Sequence, residues 1–323
     1  MIISKFPLRV SLIGGGTDIS SFYKKHGFGE VISFSIDKFI YLLSNKYYDV
    51  NKLSFKYSEV EEVNHYSKFK NPILRSTIGR YFPDLNGREF GSFSEIPGGT
   101  GLGSSSSFTN AMISHLFFLQ NKKLENMELA EKSYKIEVGE LNYTIGKQDH
   151  YTTILGGMKK IKFHNDGRVD LKIIDIHPDF EEVLNHNMVL VRIGNMRSAS
   201  ALLKEVTDDK NYNYIKYGKK LLTLIEPLEK SLKDGSLDDF SSIINQGWEY
   251  KKEMSPSISS SSVNDFYEQG LKNGALCGKL CGAGKTGFIF FLCHDTNMLI
   301  KYFNNIECHR ISIYGTNPRT VNI

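Results

Sequence analysis

The segment PGGTGLGSSSS, Pro97 to Ser107, decides the fold and supplies the first hypothesis about chemistry. It holds four glycines within six residues and follows Glu89–Ile96, whose composition favours a strand. After it, Phe108, Met112 and Leu116 recur on one face of a predicted helix whose N-terminus lies in the serine run. Glycine lets the backbone approach a ligand, and the first N–H groups of a helix are unpaired and lie at the positive end of its dipole. The segment therefore predicts an anion site suited to nucleotide phosphates, with a ligand-free glycine loop before a serine-capped helix as the alternative.

Outward from this loop, strand and helix patterns mix without regular βαβ alternation, which indicates an α+β fold. Further strands are predicted over Pro7–Ile13, over Gly29–Asn45 as two strands or a hairpin broken near Asp37, over Met188–Gly194 and over Gly287–Leu292. Further helices are predicted over Glu128–Leu141, Ser200–Val206, Tyr214–Leu232 and Leu237–Glu253. At roughly 150 residues per domain, the length predicts two domains, and a shift in composition places them at 1–183 and 184–323.

Charge and hydropathy exclude several classes of protein. The chain has 40 Lys and Arg against 36 Asp and Glu, a net charge of +4, which argues against a nucleic-acid partner. No apolar run approaches the ~18 residues of a membrane span, and Lys5 and Arg9 interrupt the N-terminal stretch, so we expect a cytoplasmic protein with no membrane partner. The four cysteines match no zinc-ligand spacing and are expected to be reduced thiols in the core.

Two carboxylates stand out beyond the glycine loop. Glu137 shares a helical stripe with Ala130 and Tyr134, and a carboxylate on an apolar stripe requires a cation or hydrogen-bond donors. It is either the partner of a Lys or Arg, or a ligand of Mg²⁺. Asp149, in the segment IGKQDHY, is either a turn former or a base that accepts the proton of a substrate hydroxyl.

Three motifs occur in the order found in the GHMP kinases, the small-molecule kinases named after galactose, homoserine, mevalonate and phosphomevalonate. They are PLRVSLIGGGTD (Pro7–Asp18), PGGTGLGSSSS and KLCGAGKTGF (Lys279–Phe288). The chain resembles this family over nearly its whole length, and within it most closely the bacterial kinases of D-glycero-D-manno-heptose 7-phosphate. The third motif departs from the family pattern, since Lys285 and Thr286 stand where relatives usually have glycine.

The resemblance implies a two-domain fold, an N-terminal α+β domain with the phosphate loop and a C-terminal ferredoxin-like domain. It implies an enzyme that uses Mg²⁺ and ATP to phosphorylate the anomeric hydroxyl of the heptose 7-phosphate to the 1,7-bisphosphate, for nucleotide-activated heptose and surface polysaccharide. The alternatives are an anomeric kinase of an unphosphorylated sugar such as fucose or galactose, and a non-catalytic sugar sensor. The presence of Ser104, Ser105, Glu137 and Asp149 argues against the sensor. Association into a homodimer is left open.

The resemblance also assigns roles to residues. The ATP loop would comprise Pro97, Gly98, Gly99, Gly101, Leu102, Gly103, Ser104, Ser105 and Ser106. Ser104 or Ser105 would join Glu137 as ligands of Mg²⁺, and Asp149 would be the catalytic aspartate. Arg9 stands where several relatives carry a catalytic lysine; it keeps the positive charge but cannot donate a proton, so its role would be electrostatic or in binding.

The acceptor side of the predicted site is the glycine turn that follows the first strand. Gly15, Gly16, Thr17 and Asp18 would face the sugar, although Asp18 could equally cap a helix. A distal phosphate on the sugar requires basic residues, and Arg197, in NMRSAS, is the first candidate, with Arg75 the second.

Overall fold

The computed structural model describes residues 1–194, 203–204, 206–207 and 212–323. Its strands are β1 Ile2–Ile13, β2 Phe28–Lys46, β3 Leu53–Lys56, β4 Val60–Val63, β5 Arg88–Ser94, β6 Met158–His164, β7 Val169–Ile173, β8 Met188–Ile193, β9 Ala275–Leu280, β10 Gly287–Cys293, β11 Cys308–Ile311 and β12 Arg319–Asn322. Its α-helices are α1 Ser20–His26, α2 Pro72–Tyr81, α3 Ser104–Leu119, α4 Asn126–Tyr134, α5 Gln148–Thr152, α6 Pro178–Asn187, α7 Tyr212–Leu222, α8 Ile225–Asp234, α9 Leu237–Met254, α10 Ser261–Lys272 and α11 Thr296–Tyr302. A 3₁₀ turn at Tyr66–Lys68 and a π-helical segment at Lys135–Glu140 complete them.

The strands form two sheets. The first has the order β12-β1-β2-β5-β3-β4, with β6 also pairing with β2 and β7 with β6. All its pairs are antiparallel except β3 with β5. The second sheet is antiparallel throughout, in the order β11-β8-β10-β9. The predicted α+β class is confirmed, and the later strands build the second sheet except β12, which returns to β1 in the first. The domain boundary at residue 183 stays a prediction.

Three apolar cores hold the layers together. One lies between the two sheets, where the rings of Phe34 in β2 and Phe290 in β10 meet edge to face with centroids 6.2 Å apart. The second packs the first sheet against α2, α3 and α4, and the third covers the other face of the second sheet with α7, α9, α10 and α11. In β8, Leu190 belongs to the first core and Val191 to the third, so the continuous apolar run of this strand reflects burial on both faces.

The free edge of β1 positions the phosphate loop. β12 covers this edge only over Ile2 to Lys5. Further along, the amide of Arg9 donates to the carbonyl oxygen of Leu102 at 3.0 Å, and the ladder between β1 and β2 is irregular on both sides of Arg9 and Ser11. The phosphate loop therefore docks where β1 has a free edge.

The long strand β2 differs from the prediction. The pattern over Gly29–Asn45 predicts two strands or a hairpin, but the structure has one strand in which Asp37 makes no turn. The amide of Asp37 donates to the carbonyl oxygen of Ser312 at 3.1 Å, and its Oδ1 accepts from the amide of Ser312 at 2.9 Å. β6 pairs with the strand before this point and β5 after it. The polar break marks a long-range contact and a change of partner strand.

Two predicted helices also differ. The single helix predicted over Tyr214–Leu232 is two, α7 and α8, because Pro227 lies in the first turn of α8 and has no amide to continue an earlier helix. The helix predicted over Glu128–Leu141 ends as α4 at Tyr134 and continues as the π-helical segment. Most of the helix predicted over Ser200–Val206 lies outside the described residues.

Two findings bear on the exclusions drawn from composition. Within the described ranges, no helix combines the length and the apolar character needed to cross a membrane. The four cysteines are free thiols, three of them buried and Cys308 half-buried, as expected from their spacing.

Candidate active site

The phosphate loop lies directly before α3. Gly99, Gly101 and Gly103 have φ values of 73°, 82° and 73°, in the left-handed region that glycine adopts without strain. Gly103 is the N-cap of α3, and among the described side chains none caps the helix. The first amides of α3 are therefore free to bind an anion, the arrangement predicted from the sequence.

The turn between β9 and β10 forms the wall behind this loop. A Cβ on Gly101 would lie 2.5 Å from the carbonyl oxygen of Cys281, and one on Gly282 would lie 2.5 Å from the Cα of Gly101. The two backbones thus meet where no side chain fits. Lys285 departs from the family's glycine but keeps a left-handed backbone, with φ of 60°. The third sequence motif supports the phosphate loop through these backbone contacts.

A cavity of about 370 Å³ joins the phosphate loop to the glycine turn after β1. The predicted site residues that line it are Arg9, Gly15, Gly16, Asp18, Gly99, Gly101, Gly103, Ser104, Ser105, Ser106 and Asp149. Pro97 and Gly98 are exposed beside it, and Thr17, Leu102 and Glu137 are buried behind its lining. Arg197 lies outside the described residues. Arg75 does not line the cavity and donates to the carbonyl oxygens of Phe69 and Lys70.

Arg9 and Asp149 form a bidentate ion pair in this cavity. Nε and Nη2 of Arg9 donate to the two carboxylate oxygens of Asp149 at 2.7 Å each, and Nη1 donates to the carbonyl oxygen of Gly101 at 2.7 Å. Burial lowers the pKa of Arg9, but the adjacent Asp149 outweighs it and the pKa is raised above its ordinary value. Arg9 is therefore a fixed positive charge, and each Asp149 oxygen retains a lone pair for a further donor.

Asp18 lies on the cavity wall at the glycine turn. Its Oδ1 accepts from the amide of Gly16 at 2.8 Å and its Oδ2 from the amide of Gln148 at 3.2 Å. Burial, and then the negative charge of Asp149, raises the pKa of Asp18. Asp18 does not cap α1; the amide that it accepts from, at Gln148, is the first of α5. Thr17 donates to two backbone carbonyls that hold the turn and does not line the cavity.

Glu137 occupies the π-helical segment, a local widening of the helix often found at functional sites. Its carboxylate is fully buried and accepts from four side chains: Ser105, Ser106 at 2.8 Å, Thr109 at 3.1 Å and Nε2 of His150 at 2.6 Å. Burial raises the pKa of Glu137, but the contact with His150 and the serine hydroxyls lower it overall. The ring partner of the carboxylate is His150, where the ion-pair alternative drawn from the sequence names Lys or Arg.

The oxygens around Glu137 fit a hard divalent cation. Ser105 and Ser106 line the cavity and bond to the buried carboxylate directly behind them. Carboxylate and hydroxyl oxygens suit Mg²⁺, which takes one or two protein carboxylates and completes its shell with water and substrate phosphates. Among the described residues no cluster of three or more His, Cys, Asp or Glu could hold a metal by itself. A cation here would therefore share its ligands with a bound nucleotide.

Two lysines in the cavity lining had no predicted role. Nζ of Lys251, on α9, donates to the carbonyl oxygen of Gly15 at 2.7 Å. Nζ of Lys279, on β9, donates to the carbonyl oxygens of Ser11 and Leu12 at 2.6 and 2.9 Å. The sequence held a signal for Lys279, a charged residue inside the otherwise apolar strand ALCGKL, where burial must be compensated.

Comparisons with known proteins show what the chain is similar to. Residues 72–157 match the family described as GHMP kinases N terminal domain. A D-glycero-alpha-D-manno-heptose 7-phosphate kinase of Campylobacter jejuni is 27% identical over 327 residues, 96% of this chain and 93% of the relative. A galactokinase of Thermococcus kodakarensis is 22% identical over 312 residues, 87% of this chain and 86% of the relative. The crystal structure of a D-glycero-D-manno-heptose 1-phosphate kinase from Bacteroides thetaiotaomicron has a TM-score of 0.81 and 20% identity, covering 100% of this chain and 99% of the other.

The matched domain, the shared fold and the phosphate loop define the class: residues 72–157 form a GHMP kinase N-terminal domain, and the chain has the fold of these kinases. It is an ATP-dependent kinase, and kinases of this family use ATP, typically with Mg²⁺.

Proposed function

We propose that the protein transfers the γ-phosphoryl group of ATP to the anomeric hydroxyl of D-glycero-D-manno-heptose 7-phosphate. The observation that carries this proposal is one cavity holding the phosphate loop, the Arg9–Asp149 pair and Asp18. The nearly full-length similarity to a heptose 7-phosphate kinase supports the choice of acceptor. The product, the 1,7-bisphosphate, would feed the synthesis of nucleotide-activated heptose for surface polysaccharide. ATP and sugar phosphates are cytoplasmic metabolites, so we expect the enzyme to act in the cytoplasm.

Each part of the cavity has a role in this reaction. The amides of the phosphate loop and of the first turn of α3 bind the nucleotide phosphates. Asp149 orients the anomeric hydroxyl and accepts its proton as the bond to phosphorus forms. Arg9 holds the carboxylate of Asp149 in place and stabilises the charge on the transferring phosphoryl group. Asp18, already fixed by two backbone amides, can accept hydrogen bonds from sugar hydroxyls.

Glu137 with Ser105, or with Ser104, would hold Mg²⁺. When bound, the ion would neutralise charge on the ATP phosphates. The contact with His150 and the hydrogen bond from Ser106 lower the pKa of Glu137, and the bond from Thr109 packs the same carboxylate against α3.

The test is a screen for acceptor-dependent release of ADP. The acceptors are D-glycero-D-manno-heptose 7-phosphate, the same heptose without phosphate, fucose, galactose and mevalonate, each with Mg²⁺ and ATP. We expect the heptose 7-phosphate to give the highest kcat/KM, and the ³¹P signal of its product to couple to the anomeric proton. A higher kcat/KM for an unphosphorylated sugar, or a phosphate at another carbon, would contradict the proposed acceptor.

A further inference from the structure

The two lysines of the cavity lining carry a charge that the described protein does not balance. Lys251 and Lys279 are 8% and 7% exposed, and no carboxylate of the described residues lies within 4 Å of either ammonium. Within the described ranges, their hydrogen bonds all go to backbone carbonyls of β1 and the glycine turn. An ammonium buried without a counter-charge is costly, and such groups are normally paired.

The charges that face the cavity confirm a surplus. Arg9 and Asp149 neutralise each other. Asp18 uses its carboxylate on two backbone amides and attracts Lys251 only at longer range. Burial lowers the pKa of Lys279 to about 7 and that of Lys251 to about 8. The positive charges of Lys251 and Arg9 also lower the pKa of Lys279. Three basic side chains thus face two carboxylates, and a bound anion would favour the charged form of both lysines.

The backbone carbonyls that the two lysines bind indicate which ligand would bring this anion. The phosphate loop contacts β1 at Arg9, where the amide of Arg9 meets the loop. Lys279 binds carbonyls two and three residues further on, at Ser11 and Leu12, and Lys251 binds further still, at Gly15. Both ammonium groups therefore bind the backbone between Arg9 and the glycine turn, the segment that the proposed function assigns to the acceptor.

We propose that Lys251 and Lys279 form a subsite for an anionic group of the acceptor, a phosphate ester at the end of the sugar away from the reacting hydroxyl. This rests on the proposed function and assigns the distal phosphate to named residues. An ammonium group has three donors, so Lys251 has two left after its bond to the backbone and Lys279 has one. Charge-assisted bonds from these donors would bind a phosphate and reject an acceptor with an apolar end.

The experiment measures how strongly each enzyme prefers a phosphorylated acceptor. The ratio of kcat/KM for D-glycero-D-manno-heptose 7-phosphate to that for the same heptose without phosphate is determined in wild type, Lys251→Met and Lys279→Met. We expect this ratio to fall about 10–150-fold in each variant, the weight of a charge-assisted hydrogen bond. Lys159→Met is the matched control, because Lys159 is fully buried, donates only to Ser35 Oγ and the carbonyl oxygen of Gly157 among the described residues, and lies outside the cavity. Its ratio should equal that of wild type.

A second measurement uses only the wild-type protein, so it does not depend on the folding of a variant. Inorganic phosphate should inhibit in competition with heptose 7-phosphate and not with ATP. Competition with ATP alone would place the anion in the nucleotide site and overturn the subsite. An unchanged ratio in both lysine variants would also overturn it, because the lysines would then only hold β1. If wild type phosphorylates neither heptose, the proposed function fails and the subsite with it; if it phosphorylates both equally, only the subsite fails.

Discussion

Replacing Asp149 by asparagine separates the chemistry of the carboxylate from its part in the ion pair. Asparagine has the same shape and can accept one hydrogen bond, but it cannot take a proton. In the structure both oxygens of Asp149 accept from Arg9 at 2.7 Å, so the new amide nitrogen would face one of these donors. One of the two hydrogen bonds would be lost and Arg9, which is 5% exposed, would lose its counter-charge.

Two magnitudes follow for Asp149→Asn. Loss of a general base should lower the rate of the chemical step by ~10²–10⁴. The unmatched hydrogen bond and the unpaired guanidinium should lower the free energy of unfolding by about 1–3 kcal/mol, since Asp149 is partly solvated and water screens part of the effect. Affinities for ATP and acceptor should change only a few-fold, because the phosphate loop and Asp18 remain intact.

The assay is single-turnover phosphoryl transfer, with calorimetric binding of each ligand and thermal denaturation of the same samples. A double variant, Arg9→Met with Asp149→Asn, distinguishes the two roles. If Asp149 serves only to neutralise Arg9, removing both should recover much of the rate lost in the single variant. If Asp149 accepts the proton, the double variant should be at least as slow. A folded Asp149→Asn enzyme that keeps more than about a tenth of the wild-type chemical rate would refute base catalysis at this residue.

Three further predictions address the loop, the metal and the lysines. Gly101→Ala should abolish ATP binding and lower the melting temperature, because a Cβ there would lie 2.5 Å from a backbone oxygen. In Gly98→Ala the nearest neighbour of the new Cβ is 3.7 Å away, so a binding titration and thermal denaturation should give the wild-type affinity and melting temperature. Glu137→Gln should raise the Mg²⁺ concentration needed for half-maximal rate. The control is Thr109→Val, which removes one donor to the same carboxylate and should lower only the stability. An unchanged Mg²⁺ dependence in Glu137→Gln would exclude the metal role. Burial lowers the pKa of Lys279 to about 7, so the ligand-free side chain is mostly neutral at pH 8. Binding of heptose 7-phosphate should therefore be accompanied by proton uptake. Calorimetry in buffers of different ionisation enthalpy measures this uptake. Release of protons, or no exchange, would contradict a charged lysine in the complex.

The sequence predicted those parts of the site that depend on local chemistry. Glycines before a serine run define the phosphate loop and the start of α3 without reference to the rest of the chain, and the structure has both. The break at Asp37 was ambiguous because its partner, Ser312, is far along the chain and local pattern contains no information on it.

Long-range placement also explains why the lysine pair was missed. Lys251 and Lys279 lie on different elements and come together only because both reach carbonyls at the end of β1 and in the glycine turn after it. The histidine partner of Glu137 was missed for a related reason, since His150 reaches the carboxylate from α5, on the other side of a turn. A pattern identifies a buried charge more readily than it identifies the partner.

Gly101 of the phosphate loop packs against Gly282 of the third motif, and this contact bears on when the enzyme can first bind ATP during its synthesis. Gly101 leaves the ribosome early, but the backbone that supports it, at Cys281 and Gly282, is made much later. Until that segment emerges, the loop has no wall against which to hold its left-handed conformation. A nascent chain stalled after α9 should therefore carry the complete loop sequence and the Arg9–Asp149 residues and still fail to retain ATP. The phosphate loop is thus translated well before the segment against which it packs.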